Sequence, residues 1–250
     1  MNQAVTPSVS KARLSLIGRL TQHPGSPVKR MLKRLKLHKL FPFLINKYFA
    51  ELSFQRLWAP IFVQNKAKVI EYWKRYRCYD DIMQRVPMTD QTTVLDVGCG
   101  VSTILHFLPG KRYGIDPLAD EYAKFYAYPS ELNIRKGFGE SIPFPDAFCD
   151  VVFSSNMLDH TTDPAKTVSE IHRVLKPDGR FVLIVEIFPS KEQRDLAHPH
   201  SLTRDDVHAL LSGKFQVLFE KTSPWMLVIS YVTGTNELEG EQLIAVLKKI

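Results

Sequence analysis

The sequence predicts an α/β protein: a doubly wound, mostly parallel sheet with a reversed edge, preceded by a helical N-terminal extension. Three observations carry this reading. From Thr92 onward, short β-branched runs alternate with amphipathic helical segments, the pattern of a parallel sheet with helices on both faces. The last two predicted strands, Phe215–Lys221 and Met226–Val232, are joined at Pro224 by a link too short for a crossover helix, so they must be antiparallel. Before residue 87 the chain is rich in aromatic residues and cations and shows no such alternation.

The elements divide the chain into three parts. Residues 1–27 are rich in Ser, Thr, Gln and Pro and read as a flexible tail. Within residues 28–86, the first segment, 28–49, intersperses Met31, Leu32, Leu35, Leu37, Leu40, Phe41 and Leu44 with Lys and Arg, and breaks at Pro42. Such a basic amphipathic stretch suits an anionic membrane surface, where each well-placed cation is worth about 1 kcal/mol. Nucleic-acid contact and a domain cap are the alternatives. Residues 50–86 read as helical, with Phe54, Trp58, Phe62, Tyr72, Trp73, Tyr76 and Tyr79 packing on a core or forming a lid.

Residues 87–250 hold the sheet. Thr92–Val97, Arg112–Ile115 and Leu132–Lys136 read as the first three strands. Asp150–Ser154 follows the turn-rich Pro143–Asp146 as the fourth. Thr167–Leu175 is an amphipathic helix stopped by Lys176-Pro-Asp-Gly179, and Phe181–Ile187 is an apolar fifth strand. Thr203–Leu211 is a helix with Thr203 at its N-cap and Asp205 and Asp206 in its first turn. After the final strand pair, a helix is expected from Gly240 to Lys249.

Composition narrows the class. A hydrophobic share of 44% and a charged share of 24% are ordinary for a soluble globular protein. Apolar runs such as Phe181–Val185 fall far short of the roughly 20 residues that span a bilayer, and the first residues lack a signal-peptide apolar region. The net charge is +7, yet residues 1–50 alone carry ten Lys or Arg and no Asp or Glu, so the remainder is slightly acidic. Cys78, Cys99 and Cys149 form no CxxC pair, which argues against disulfides or a structural zinc. They read as small buried side chains in a reducing, cytoplasmic setting, peripheral to the membrane if the basic arm engages it.

The chemistry concentrates in Val94–Ser102, VLDVGCGVS. Gly98 and Gly100 follow the first strand, where a sharp turn lets the backbone approach a ligand. Asp116 ends the second strand, where a carboxylate can accept from both ribose hydroxyls. Together they point to nucleoside recognition. Thr103 stands where a dinucleotide fingerprint would place its third glycine, and no GK[ST] sequence is present. A pyrophosphate cofactor is therefore disfavoured.

VLDVGCG, YGIDP, GESIPFPDAFCDVVFSSNMLDH and EIHRVLKPDGRFVL together resemble the class I S-adenosylmethionine-dependent methyltransferases, closest to the type 11 group of small-molecule and lipid methyltransferases. The resemblance spans about Thr92–Leu183, with a weaker echo in HSLTRDDVHALL. It implies a Rossmann-like seven-stranded sheet with an antiparallel last strand, and S-adenosylmethionine as cofactor. It places Asp96, Gly98, Cys99 and Gly100 beside the methionine part, Asp116 and Pro117 at the ribose, and Glu140 and Ser141 at the adenine. Asn156 and Met157 would lie beside the sulfonium methyl. One departure is Cys149 directly before Asp150, where the family usually has Phe; Phe148 stands one place earlier.

A sulfonium methyl is already activated, so the protein must chiefly align a nucleophile and exclude water. A base is needed only for a hydroxyl or protonated amine. The candidates are His160, where the family often has a histidine, and His198 and His200 in the RDLAHPHSLT segment. No Cys or acidic cluster accompanies that His pair, so no metal is expected. The acceptor class is a small molecule, sugar or lipid-linked compound. SSNMLDH stands where base-modifying enzymes carry an Asn/Asp-Pro-Pro-Tyr/Phe sequence, which disfavours nucleic acid. A nicotinamide-dependent oxidoreductase and a non-catalytic relative are the competing readings.

Overall fold

The computed structural model describes residues 47–189, 199–238 and 240–250. The expected tail and most of the basic amphipathic stretch lie outside them. Strands β1 (Thr93–Val97), β2 (Lys111–Asp116), β3 (Leu132–Lys136), β4 (Cys149–Ser155), β5 (Leu175–Ile187), β6 (Phe215–Trp225) and β7 (Gly240–Lys249) form one sheet in the order β3-β2-β1-β4-β5-β7-β6. The first five are parallel, and β7 runs antiparallel to both neighbours.

Alternation along the central strands explains the layers. Val94, Val151, Phe153, Val182, Ile184, Ile244 and Val246 face one way, and Leu95, Val152, Leu183, Val185, Leu243, Ala245 and Leu247 face the other. The first face is covered by α1 (Lys47–Gln64), α2 (Lys66–Tyr76), α3 (Tyr79–Arg85) and α7 (Val228–Thr233), through Trp58, Phe62, Tyr72, Ile82 and Val232. The second is covered by α5 (Pro164–Val174) and α6 (Arg204–Leu211), through Val168, Ile171, Val207 and Leu211. A short α4 (Ala119–Tyr122) follows β2. Trp58 and Phe62 are fully buried, each contributing about 2–3 kcal/mol of transfer free energy. The aromatic residues of the N-terminal helices are thus largely core.

Caps set the helix starts. Asp163 accepts from the Lys166 N–H at 2.9 Å and Pro164 holds the first helical position, so α5 begins before the expected Thr167. Thr203 and Asp206 form a reciprocal capping box on α6, as the Thr203 signal implied.

Two expectations at the C-terminal end are corrected. Residues 226–232 are not a strand: most of them lie in α7, and β6 runs on to Trp225. Residues 240–249 are not a helix but β7, the reversed strand, inserted between β5 and β6. The run Leu243–Leu247 is fully buried, and a short apolar run of this kind fits a helix or a two-sided strand equally well. In α7 a β-prone sequence becomes helical because its context wins over propensity. Tyr231 packs on Tyr72 and Tyr76, with ring centroids 5.8 Å apart in each case, and Gly234 closes the helix at φ +78°.

Candidate functional site

The chain leaves β1 through two left-handed glycines, Gly98 at φ +77° and Gly100 at φ +52°. A side chain at Gly98 would put its Cβ 2.2 Å from Met157 Cγ, so only glycine lets the loops after β1 and β4 meet this closely. The Gly98 and Cys99 N–H groups donate to the Ile115 carbonyl at 2.8 and 3.1 Å. The Gly100 N–H donates to Asp116 Oδ2 at 3.1 Å, and the Leu118 N–H to Asp116 Oδ1 at 2.9 Å. The end of β2 therefore holds the turn after β1, with half-buried Pro117 between the two anchors. Cys99 is buried and its sulfur lies against Gly114, where a Cβ would come within 3.0 Å of Sγ; it offers the site backbone rather than a thiol.

Thr103 has a structural role where a third glycine is missing. Its hydroxyl donates to Asp96 Oδ2 at 2.6 Å and accepts from the Leu105 N–H at 3.1 Å, capping a 3-10 turn over Ile104–Phe107. Asp96 Oδ1 is buried with no hydrogen-bond partner. Burial pushes the Asp96 carboxyl up to about 7, against the opposing Thr103 hydroxyl. Burial likewise pushes Asp116 up to about 6; the Leu118 N–H opposes this and nearby Glu51 adds to it.

Beyond β4, Asn156 adopts φ +55°, donates its N–H to the Ile184 carbonyl at 2.8 Å, and keeps Oδ1 buried without a partner. Met157 reaches from Gly98 to the loop after β3, where a Cβ on Gly139 would lie 3.6 Å from its methyl carbon. Half-buried His160 follows in a short 3-10 turn. His200 Nε2 is 3.1 Å from the Thr161 carbonyl, so His160 and His200 share one rim. His198 lies outside the described residues. Glu140 accepts from the Thr162 and Asp163 N–H groups at 2.6 and 3.4 Å, and Ser141 beside it is exposed. The Glu140 carboxylate thus ties the loop after β3 to the start of α5.

Sequence reasoning offered residues 50–86 as core or lid but singled out none of the polar residues that α1 brings to the site. Gln55, 7% exposed, accepts from the Val101 N–H at 3.3 Å and donates to Glu51 at 2.8 Å. Tyr48 lies close enough to Glu140 and Asp116 that their charges add to burial in raising its phenol pKa. The helix therefore crosses the mouth from Asp116 toward Glu140. The available signal was the four-residue spacing of Glu51 and Gln55, which puts both on one face. A separate hollow of about 710 Å³, lined by Glu186, Phe188, Thr203, Asp205 and Glu241, lies beyond β5, three strands from β2.

These residues fit a nucleoside with a cationic amino end. Asp116 suits ribose hydroxyls, and Asp96 Oδ1 and Asn156 Oδ1 are buried acceptors awaiting donors. Among the described residues, no group of three or more His, Cys, Asp or Glu could hold a metal.

Comparison with known proteins matches residues 95–183 to the methyltransferase-domain family. The chain is 31% identical over 157 residues to the uncharacterized methyltransferase YcgJ of Bacillus subtilis, covering 55% of this chain and 62% of that protein. It is 27% identical over 154 residues to a chloroplastic 2-methyl-6-phytyl-1,4-hydroquinone methyltransferase of Spinacia oleracea, covering 52% of this chain and 45% of that one. The crystal structure of YcgJ superposes with a TM-score of 0.52 at 20% identity, over 68% of this chain and 95% of that one. The chain spans less than two thirds of the length of the curated relatives it matches.

The raised Asp116 pKa carries a pH signature. The folded chain keeps this proton up to about pH 6, above the ordinary carboxylate value. Its contribution to stability is therefore complete below about pH 4 and is lost as pH rises through 6. Asp116→Asn removes that loss. Relative to wild type, the variant should gain on the order of 1–3 kcal/mol between pH 4.5 and 7.5 in urea denaturation. An unchanged difference at the two pH values would sink the burial argument.

Proposed function

We propose that this chain, whose residues 95–183 match the methyltransferase-domain family, is a class I, type 11-like S-adenosylmethionine-dependent methyltransferase. Its acceptor is a small molecule, sugar or lipid-linked compound. The observation that carries the reading is the Asp116 carboxylate locked beneath the Gly98–Gly100 turn, facing a loop whose third-glycine position is Thr103. That arrangement supports a ribose and an amino-acid end and gives a pyrophosphate no glycine-lined helix start.

S-adenosylmethionine, when bound, supplies a methyl group already activated by its sulfonium. The residues of the chain do the rest. Asp116 accepts from the ribose hydroxyls, while Asp96 and Asn156 accept from the amino end. Met157 walls the transfer point between the loops after β1, β3 and β4, and Tyr48, Glu51 and Gln55 of α1 cover the mouth and exclude water. Holding the acceptor in line is the main catalytic contribution. For a hydroxyl acceptor, a ring nitrogen of His160 or His200 on the rim takes the proton as the bond to carbon forms. His198, in the same segment as His200, is the third candidate.

Two features favour a lipid-linked or membrane-proximal acceptor. The spinach relative is named for a prenylated hydroquinone, and residues 28–49 pair apolar side chains with a run of cations. Among the described residues no helix is long and apolar enough to cross a membrane, so we assign membrane contact to that peripheral arm. SSNMLDH after β4 supports a non-nucleic-acid acceptor.

Calorimetric titration separates this reading from a nicotinamide enzyme: S-adenosylhomocysteine should bind and NAD should not. Asp116→Ala should weaken S-adenosylhomocysteine by roughly 30- to 100-fold, the cost of two or so charge-assisted hydrogen bonds. Tight NAD binding, or unchanged affinity in the variant, would refute it. Deleting residues 1–46, just before α1, should leave S-adenosylhomocysteine affinity intact and reduce sedimentation with phosphatidylserine-containing vesicles. Equal vesicle binding by the truncated chain would remove the membrane role of the arm.

A further inference from the structure

Arg77 is a buried cation that the fold alone does not explain. It closes α2, its N–H donating to the Trp73 carbonyl at 2.9 Å, and Cys78 at φ +51° then turns the chain into α3. That turn directs the side chain down toward the sheet, where it is 7% exposed. Nε donates to the Tyr72 hydroxyl at 3.3 Å, and Nη1 donates to the Ser155 hydroxyl at the end of β4. The guanidinium lies over the rings of Tyr72 and Trp73, 5.4 and 5.5 Å from their centroids. Among the described residues no carboxylate stands within ion-pair distance of it. Nη2 has no protein acceptor there and is not among the atoms sealed from solvent.

A guanidinium stays charged at any ordinary pH, and taking it out of water without a counter-charge is unfavourable. The two rings offset part of that cost. An anion on the open edge would supply the missing counter-charge. The location is specific: Ser155 directly precedes Asn156 and Met157, the corner assigned above to methyl transfer. Gln242, fully buried, donates to the carbonyls of Tyr76 and Pro224 at 2.8 and 3.1 Å and keeps Oε1 without a partner. A carboxylate matches the planar guanidinium edge and neutralises its single charge.

We propose that Arg77 is a specificity residue whose open Nη2 edge binds a carboxylate on the small molecule in the transfer cleft, so that the acceptor is a carboxylic acid. This rests on the methyltransferase reading. The same chemistry could come from the amino-acid end of the cofactor, and the test separates the two.

The experiment uses the full chain as wild type, Arg77→Gln and Arg77→Lys. Each is titrated calorimetrically with S-adenosylhomocysteine and with 5′-methylthioadenosine, which lacks the amino-acid end. Each is then saturated with S-adenosylhomocysteine and titrated with benzoate and benzamide. Wild type should prefer benzoate at least tenfold, Arg77→Gln should lose that preference, and both should bind S-adenosylhomocysteine equally. If Arg77→Gln instead weakens S-adenosylhomocysteine tenfold and spares 5′-methylthioadenosine, the carboxylate site stands but belongs to the cofactor. Equal binding of benzoate and benzamide by wild type, with S-adenosylhomocysteine unaffected in the variant, overturns the proposal. Melting temperatures give a second readout, since removing an uncompensated buried charge should not destabilise the unliganded chain. A clear drop in Arg77→Gln, restored in Arg77→Lys without any benzoate preference, would make the guanidinium structural and likewise overturn it. Failure of wild type to bind S-adenosylhomocysteine would contradict the cofactor reading, and benzoate against benzamide on the unloaded chain would then decide the anion site alone.

Discussion

A single backbone N–H ties the site together: that of Gly100, donated to the Asp116 carboxylate at the end of β2. It can form because β1 and β2 run in parallel register, with Val97 opposite Ile115, so that the two strands end side by side. It requires the left-handed turn that Gly98 and Gly100 provide. It also fixes a carboxylate where water is largely excluded, which is why burial raises the proton affinity of Asp116. The sheet on which this depends is apolar on both faces, and that core offsets the local cost. The site carries unfavourable electrostatics that a donor-rich ligand would relieve.

The N-terminal extension belongs to the same construction. Positions 48, 51, 55, 58 and 62 form one stripe along α1, spaced alternately three and four apart. The C-terminal half of the stripe, Trp58 and Phe62, is fully buried in the core. The other half, Tyr48, Glu51 and Gln55, extends over the Asp116 loop. One helix is thereby anchored at one end and applied to the site at the other. Carboxylates from Asp96, Asp116, Glu51 and Glu140 gather around the opening, an arrangement that favours a cationic ligand over a phosphate.

Much of this was legible from residue order. The strands up to β5 announce themselves by β-branched runs between turn signals, and α6 by its Thr203 cap. The glycine turn and Asp116 were readable because their chemistry depends on residues close to strand ends. What escaped depends on distant partners. The Leu243–Leu247 run is a strand only because β5 and β6 lie on either side of it. Residues 228–233 are helical only because α2 offers Tyr72 and Tyr76 to pack on. Gln55 and Arg77 look like ordinary surface residues of a helical segment. The burial of Gln55 follows from the seating of α1, whose local signature is only the spacing of its stripe, and that of Arg77 from the Cys78 turn, which has none.

Amide hydrogen exchange of the full chain, with and without S-adenosylhomocysteine, tests the central claim most directly. The account predicts that added protection concentrates at two places, the turn 98–101 and the first half of α1 around residues 51–55. Protection confined to the hollow lined by Thr203 and Asp205, with the Gly98–Val101 amides unchanged, would contradict it.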